Sequence, residues 1–189
     1  MSSSRVYKVD GIILKRKNVG EADRILTIFT KQYGKLRVIA KGIRKVSSRR
    51  APHLEVFTHI SAVVHSGKTF ESISEVESLD TYKQLRKDLK RVSLGYYLCE
   101  LIDSLLPISQ EHRDVFTLLL QTLQKINDGG NIYKQTKIFT LELLWMLGFL
   151  PRNKHLSGQK LQTFIESITE RSLKTPPFAR RLISGTISV

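Results

Sequence analysis

The hydrophobic period of this chain changes near residue 78, and that change constrains the fold more than any other feature of the sequence. Upstream, side chains alternate. Val56, Thr58, Ile60, Ala62 and Val64 share one face, with Phe57, His59, Ser61, Val63 and His65 on the other. Leu36, Val38 and Ala40 likewise alternate with Arg37, Ile39 and Lys41. Period two is the mark of a half-buried strand. Val6–Lys15, Ile25–Thr30 and Thr69–Val76 complete a set of five, separated by the turn segments Asn18-Val19-Gly20, Tyr33-Gly34-Lys35 and Ser66-Gly67-Lys68. Five short strands predict a small closed or nearly closed barrel, with a small open sheet as the alternative. Most of Tyr7, Phe29, Tyr33, Phe57 and Phe70 are expected to fill its interior, with Tyr33 exposed beside its turn.

From Leu79 onward the apolar spacing is helical. Leu85, Leu89, Val92, Tyr96, Leu101, Ile102 and Leu105 form a stripe that Pro107 ends. Ser109 is placed as the N-cap of a second helix, with Val115, Phe116, Leu119, Leu123 and Ile126 inward and Gly129-Gly130 as its stop. Asn131 opens a third, which buries Phe139, Leu143, Leu144 and Leu147 and ends at Gly148 and Pro151. A fourth covers Ser157–Glu170, and a short turn covers Pro176–Ser184. The expected architecture is α+β: a barrel domain over residues 1–78 and an all-α helical domain over 79–189.

Charge narrows the partners. The chain carries 31 Lys and Arg against 17 Asp and Glu, a net charge of +14 in 189 residues. Such a protein is attracted to polyanions. The excess is concentrated: between Asp23 and Glu55 there is no acidic residue, while Arg24, Lys31, Lys35, Arg37, Lys41, Arg44, Lys45, Arg49 and Arg50 all fall there. Phosphate backbones are bound by several unpaired cations on one surface, with counterion release as the driving term. Lys35, Arg37 and Lys41 are therefore expected on a strand face leading into a flexible basic loop, Gly42–Pro52, and Tyr33 is a candidate for stacking on bases. A second cluster, Lys83, Lys87, Lys90 and Arg91, has i, i+4, i+7, i+8 spacing. It would be one side of a helix that either extends a phosphate track or is simply wet.

Several patterns carry no chemistry. Ser66-Gly67-Lys68-Thr69 resembles the tail of a phosphate-binding loop, but Ala62 stands where that loop needs glycine, so a hairpin turn is expected. His59 and His65 are six residues apart, roughly 20 Å along a strand, too far to share a metal. Glu21-Ala22-Asp23-Arg24 reads as a turn held by an Asp/Arg pair, and Cys99 as a core residue. One cysteine excludes a disulfide framework and suits a reducing compartment. No nucleophile and base stand out by spacing, so no enzyme is expected. The N-terminus shows no apolar signal segment, and no apolar run approaches the ~20 residues of a membrane span, so a cytoplasmic protein is expected.

Residues 6–44 carry a more specific signal. Gly11-Ile12-Ile13-Leu14-Lys15, the run Gly20 to Thr30 (G-E-A-D-R-I-L-T-I-F-T), Gly34-Lys35-Leu36 and Ala40-Lys41-Gly42-Ile43-Arg44 resemble the start of the RecO family of bacterial recombination mediators. Leu141-Glu142-Leu143-Leu144 and Leu147-Gly148-Phe149-Leu150-Pro151 are similar to the family more loosely. The resemblance implies a five-stranded OB-fold followed by a helical domain. It implies binding of single- and double-stranded DNA and annealing of complementary strands. It implies work with RecR to load RecA onto DNA coated by single-strand-binding protein, whose acidic C-terminal tail docks on the helical domain. Many members carry a four-cysteine zinc module after the L-G-F-x-P segment. Here Pro151 is followed by Arg152-Asn153-Lys154-His155-Leu156 and the next helix, which implies a short form without that module, and no zinc or other cofactor is expected.

Three functions suit these features: a recombination mediator using Lys35, Arg37, Lys41, Arg44, Lys45, Arg49 and Arg50 as phosphate contacts; an RNA- or ribosome-associated OB protein; and an adaptor whose Lys83–Arg91 cluster docks acidic tails.

Overall fold

The computed structural model describes residues 6–67 and 70–169. Among them are five strands, β1 (Val6–Val19), β2 (Asp23–Thr30), β3 (Gly34–Ala40), β4 (His59–His65) and β5 (Glu71–Asp80). Four α-helices follow, α1 (Leu89–Leu105), α2 (Arg113–Asn127), α3 (Ile132–Met146) and α4 (Gly158–Thr169). The Pro176–Ser184 turn lies outside the described residues.

The strands close into a barrel in the order β1-β2-β3-β5-β4. Every pairing is antiparallel except β3 with β5, where Val38 stands opposite Glu71 and Ile39 opposite Ser72. This is an OB-like barrel. β1 is long enough to serve two neighbours: residues 6–12 pair with β4 and 11–19 with β2, with an irregularity between Ile13 and Lys15 where the strand turns the corner. The interior is aliphatic, built from Val9, Ile13, Leu26, Ile28, Leu36, Val38, Ile60, Val64 and Ile73. Ile43 and Leu54, from the connection between β3 and β4, join the same core and help close the barrel. Each fully buried side chain of this kind contributes roughly 1.5–3 kcal/mol.

The aromatic residues do not fill the interior as expected. Phe29 and Phe57 are buried yet stand outside the interior cluster. Phe29 points outward from β2 onto Phe116, their ring centroids 5.8 Å apart. Phe70 is 52% exposed. Phe57 adopts φ 52°, which breaks the alternation and delays β4 to His59.

The chain divides into two compact units, but not at one boundary near 78. The first unit runs to Thr81 and also takes in Leu106–Phe116, and the second holds Tyr82–Leu105 and everything from Thr117. Residues 106–116 belong to the barrel because they lie along β3. Ile108 bridges Lys35, and the Ser109 amide donates to the Lys35 carbonyl at 2.9 Å. Ser109 is therefore not an N-cap. It has φ 59°, and α2 starts at Arg113. Gly34 permits the approach: with φ +65°, a Cβ there would lie 1.9 Å from the Gln110 carbonyl oxygen.

In the second unit, α1 begins at Leu89 rather than near 81, and Leu89 and Tyr96 of the expected stripe are exposed. Leu85, Leu101 and Ile102 of the stripe are buried, joined by Leu94, Tyr97 and Leu98, which the stripe did not include. The Asn131 side chain caps α3, accepting from the Lys134 amide at 3.0 Å. Gly130 and Phe149 close α2 and α3, their amides returning to Lys125 and Leu144. None of the helices described is long and apolar enough to cross a membrane.

Candidate nucleic-acid interface

Strand register decides which cations share a surface. Leu36, Val38 and Ala40 point into the barrel, so Lys35, Arg37 and Ile39 point out. Arg37 stands opposite Thr27 on β2, and Thr27 stands opposite Lys15 on β1. The next outward rung is Lys17, Ile25 and Ile39. Lys15, Lys17 and Arg37 are all exposed, while Thr27 between them is 8% exposed. Lys15 and Arg37 are two strand spacings apart, roughly 10 Å.

The segment after β3 continues this surface. Its fold is set by hydrogen bonds to the β1–β2 turn and to β5. The Gly42 amide donates to the Asp23 carboxylate at 2.7 Å and the Arg44 amide to the Ala22 carbonyl at 2.8 Å. Lys41, Arg44, Lys45 and Arg49 are exposed. Arg44 also donates from Nη1 to the Gly20 carbonyl at 3.1 Å, which fixes its position without neutralising its charge.

Four expected contacts leave the surface. Lys35 is 5% exposed because residues 107–110 lie along the first part of β3. Arg50 is spent on backbone carbonyls, donating to Ile73 at 2.8 Å, Ser74 at 3.3 Å and Lys41 at 2.7 Å. Arg24 is paired with Asn18 at 3.0 Å and with the Glu55 carboxylate at 3.6 Å. The expected Asp23/Arg24 pair is replaced by these contacts and by the Asp23–Gly42 bond. Arg91 donates to the Ile126 carbonyl at the end of α2 and faces Asp88, so it serves the helix terminus.

Lys83, Lys87 and Lys90 are exposed in the second unit. They do not form a helical row with Arg91, because Leu85–Lys87 is a single 3-10 turn and Asp88 is extended before α1 begins. Tyr33 is 37% exposed and its ring lies 4.8 Å from that of Tyr7.

Sequence reasoning missed Lys15 and Lys17. They lie upstream of Glu21 and Asp23 and so outside the acid-free interval. Lys17 also lies beyond the expected end of the first strand at Lys15, and only the pairing of β1 with β2 sets the two lysines beside Arg37.

The family model "Recombination protein O N terminal" matches residues 1–82, and "Recombination protein O C terminal" matches residues 86–174. The chain belongs to the RecO family. Proteins named DNA repair protein RecO are similar over most of this chain. The protein from Roseiflexus sp. (strain RS-1) is 39% identical over 148 residues, covering 78% of this chain and 52% of that protein. The protein from Symbiobacterium thermophilum is 36% identical over 147 residues, 77% of this chain and 58% of its own length. The protein from Pelotomaculum thermopropionicum is 30% identical over 157 residues, 82% and 61% respectively. The chain thus spans little more than half the length of these RecO proteins. The OB-like barrel followed by helices is the RecO arrangement expected from residues 6–44.

Proposed function

We propose that this chain is a DNA repair and recombination mediator that holds polynucleotides on the outer face of β1–β2–β3 and the adjoining 41–49 segment. The observation that carries this reading is the rung Lys15–Thr27–Arg37: cations on two strands flank a small residue on the strand between them. Lys17, Lys41, Arg44, Lys45 and Arg49 extend the surface. Phosphates would lie against these side chains, with the half-buried Ile25 and Ile39 as an apolar floor. Binding of this kind reads charge rather than base edges, and it serves single and double strands alike.

Annealing needs no bond chemistry. Cations that neutralise two backbones leave base edges free to pair. The mediator acts with RecR to load RecA onto strands coated by single-strand-binding protein, whose acidic C-terminal tail docks on the helical unit. Family membership supports this part of the proposal.

The test is titration of fluorescent single- and double-stranded DNA at several salt concentrations, with wild type and with Lys45→Glu/Arg49→Glu. The proposal expects weaker binding and a shallower salt slope in the variant. Unchanged affinity and slope reject this surface, and a strong preference for RNA of matched sequence favours the RNA-associated reading instead.

A further inference from the structure

The mouth of the barrel by the β2–β3 turn has the opposite chemistry. A cavity of about 350 Å³ opens there, lined by Tyr7, Gln32, Tyr33, Leu36 and Glu71, with Ser109 and Glu111 from the segment along β3. Among its described lining residues the charged ones are Glu71 and Glu111, in a chain whose net charge is +14. Glu111 pairs with Arg113. Glu71 accepts the Tyr7 hydroxyl through Oε1. The Tyr7 and Tyr33 rings form a wall, with centroids 4.8 Å apart and planes at 60°. The opposite wall is held by the Ser109–Lys35 hydrogen bond and the close approach of Gln110 to Gly34.

A second observation points the same way. Outward positions on β5 carry Glu75 opposite Val63 and Glu77 opposite Ser61, both exposed. The cations of β1–β3 and the carboxylates of β5 are thus on different strands of one barrel.

The geometry points to the mouth as a recognition site for an arginine side chain presented by a protein partner. A guanidinium stacks on tyrosine faces and forms charge-assisted hydrogen bonds to a carboxylate. Glu71 supplies the carboxylate and Tyr33 the accessible ring. A nucleobase would also stack, but its phosphates would be brought toward Glu71 and Glu111, where like charges repel. The inference is independent of where DNA binds.

The probe is the peptide acetyl-Gly-Ser-Arg-Ser-Gly-amide, followed by NMR through the ring protons of Tyr7 and Tyr33. Saturable shifts are expected with this peptide and none with the citrulline analogue. Glu71→Gln should weaken peptide binding at least tenfold while leaving single-stranded DNA affinity within about twofold of wild type, and Tyr33→Ala should weaken peptide binding to a similar extent. Equal shifts with citrulline, undiminished binding in both variants, binding of spermidine but not the peptide, or displacement of the peptide by a dinucleotide would each overturn the assignment. Loss of DNA binding in Lys45→Glu/Arg49→Glu with peptide binding intact leaves this inference standing and separates it from the DNA proposal.

Discussion

Arg50 ties the cationic segment to the residue that begins it: its Nη2 donates to the Lys41 carbonyl at 2.7 Å while Nη1 reaches Ile73 and Ser74 of β5. One guanidinium thus joins the end of β3 to the first half of β5. Its neighbour Arg49 is exposed. The two arginines stand in different surroundings although nothing in the local sequence separates them.

Arg50→Ala should lower stability by about 1–3 kcal/mol, because three backbone carbonyls lose their donor. Arg49→Ala should stay within about 0.5 kcal/mol of wild type but weaken DNA binding. Urea denaturation and DNA titration on the same two variants check the division. Equal stability of the two would remove the structural role given to Arg50.

The rung across β1, β2 and β3 gives a second expectation. Lys15→Ala, Lys17→Ala and Arg37→Ala should each weaken single-stranded DNA binding. Removing one cation that faces a phosphate should make the slope of log K against log salt shallower by about 0.7. Lys35→Ala should leave that slope unchanged, because Lys35 is buried beside Ile108. Salt titrations of the four variants decide which lysines face the strand.

Gly34→Ala places a methyl group 1.9 Å from the Gln110 carbonyl oxygen at a φ of +65°. Strain and overpacking together should cost about 2–5 kcal/mol. The 106–116 segment should loosen from β3 first. Hydrogen exchange at the Ser109 amide, protected in wild type by the Lys35 carbonyl, should accelerate well before global unfolding.

Tyr97 makes stability fall at alkaline pH. Burial raises its phenol well above the ordinary value of 10.0. The nearby Glu100 charge acts the same way, and the side-chain hydrogen bond with Thr140 opposes it. The unfolded chain therefore releases this proton first as pH rises. The stabilisation is full below pH 10 and is lost progressively above it. Denaturation of wild type and Tyr97→Phe from pH 8 to 12 should show the steeper decline in wild type. Parallel curves would contradict the assignment.

Local pattern was enough to find the five strands, the Asn131 cap and the glycine stops of α2 and α3. Each depends on residues within a few positions of one another. It was also enough to find the acid-free interval that supplies Arg37, Lys41, Arg44, Lys45 and Arg49. It was not enough to set the strand ends: β1 runs through the expected Asn18–Gly20 turn as far as Val19, β3 already begins at Gly34, β4 starts only at His59, and the expected Ser66–Thr69 turn lies partly outside the described residues. Alternation along β3 correctly turned Lys35 outward, but no local rule could cover it, since the covering residues stand more than 70 positions later. Glu55 and the carbonyls of Ile73 and Ser74 are likewise remote partners that engage Arg24 and Arg50.

The sequence by itself determined the period of each element, the aliphatic face of each strand and the excess of positive charge, because these follow from the order of side chains along one backbone. Only the tertiary structure decided which cations share an exposed surface. Closing the barrel set Lys15 and Lys17 beside Arg37, drew residues 106–116 over Lys35 and bound Arg50 to carbonyls of β5. Whether a charged side chain faces solvent or a distant segment depends on which strands pair and what packs over them, and both are properties of the folded chain.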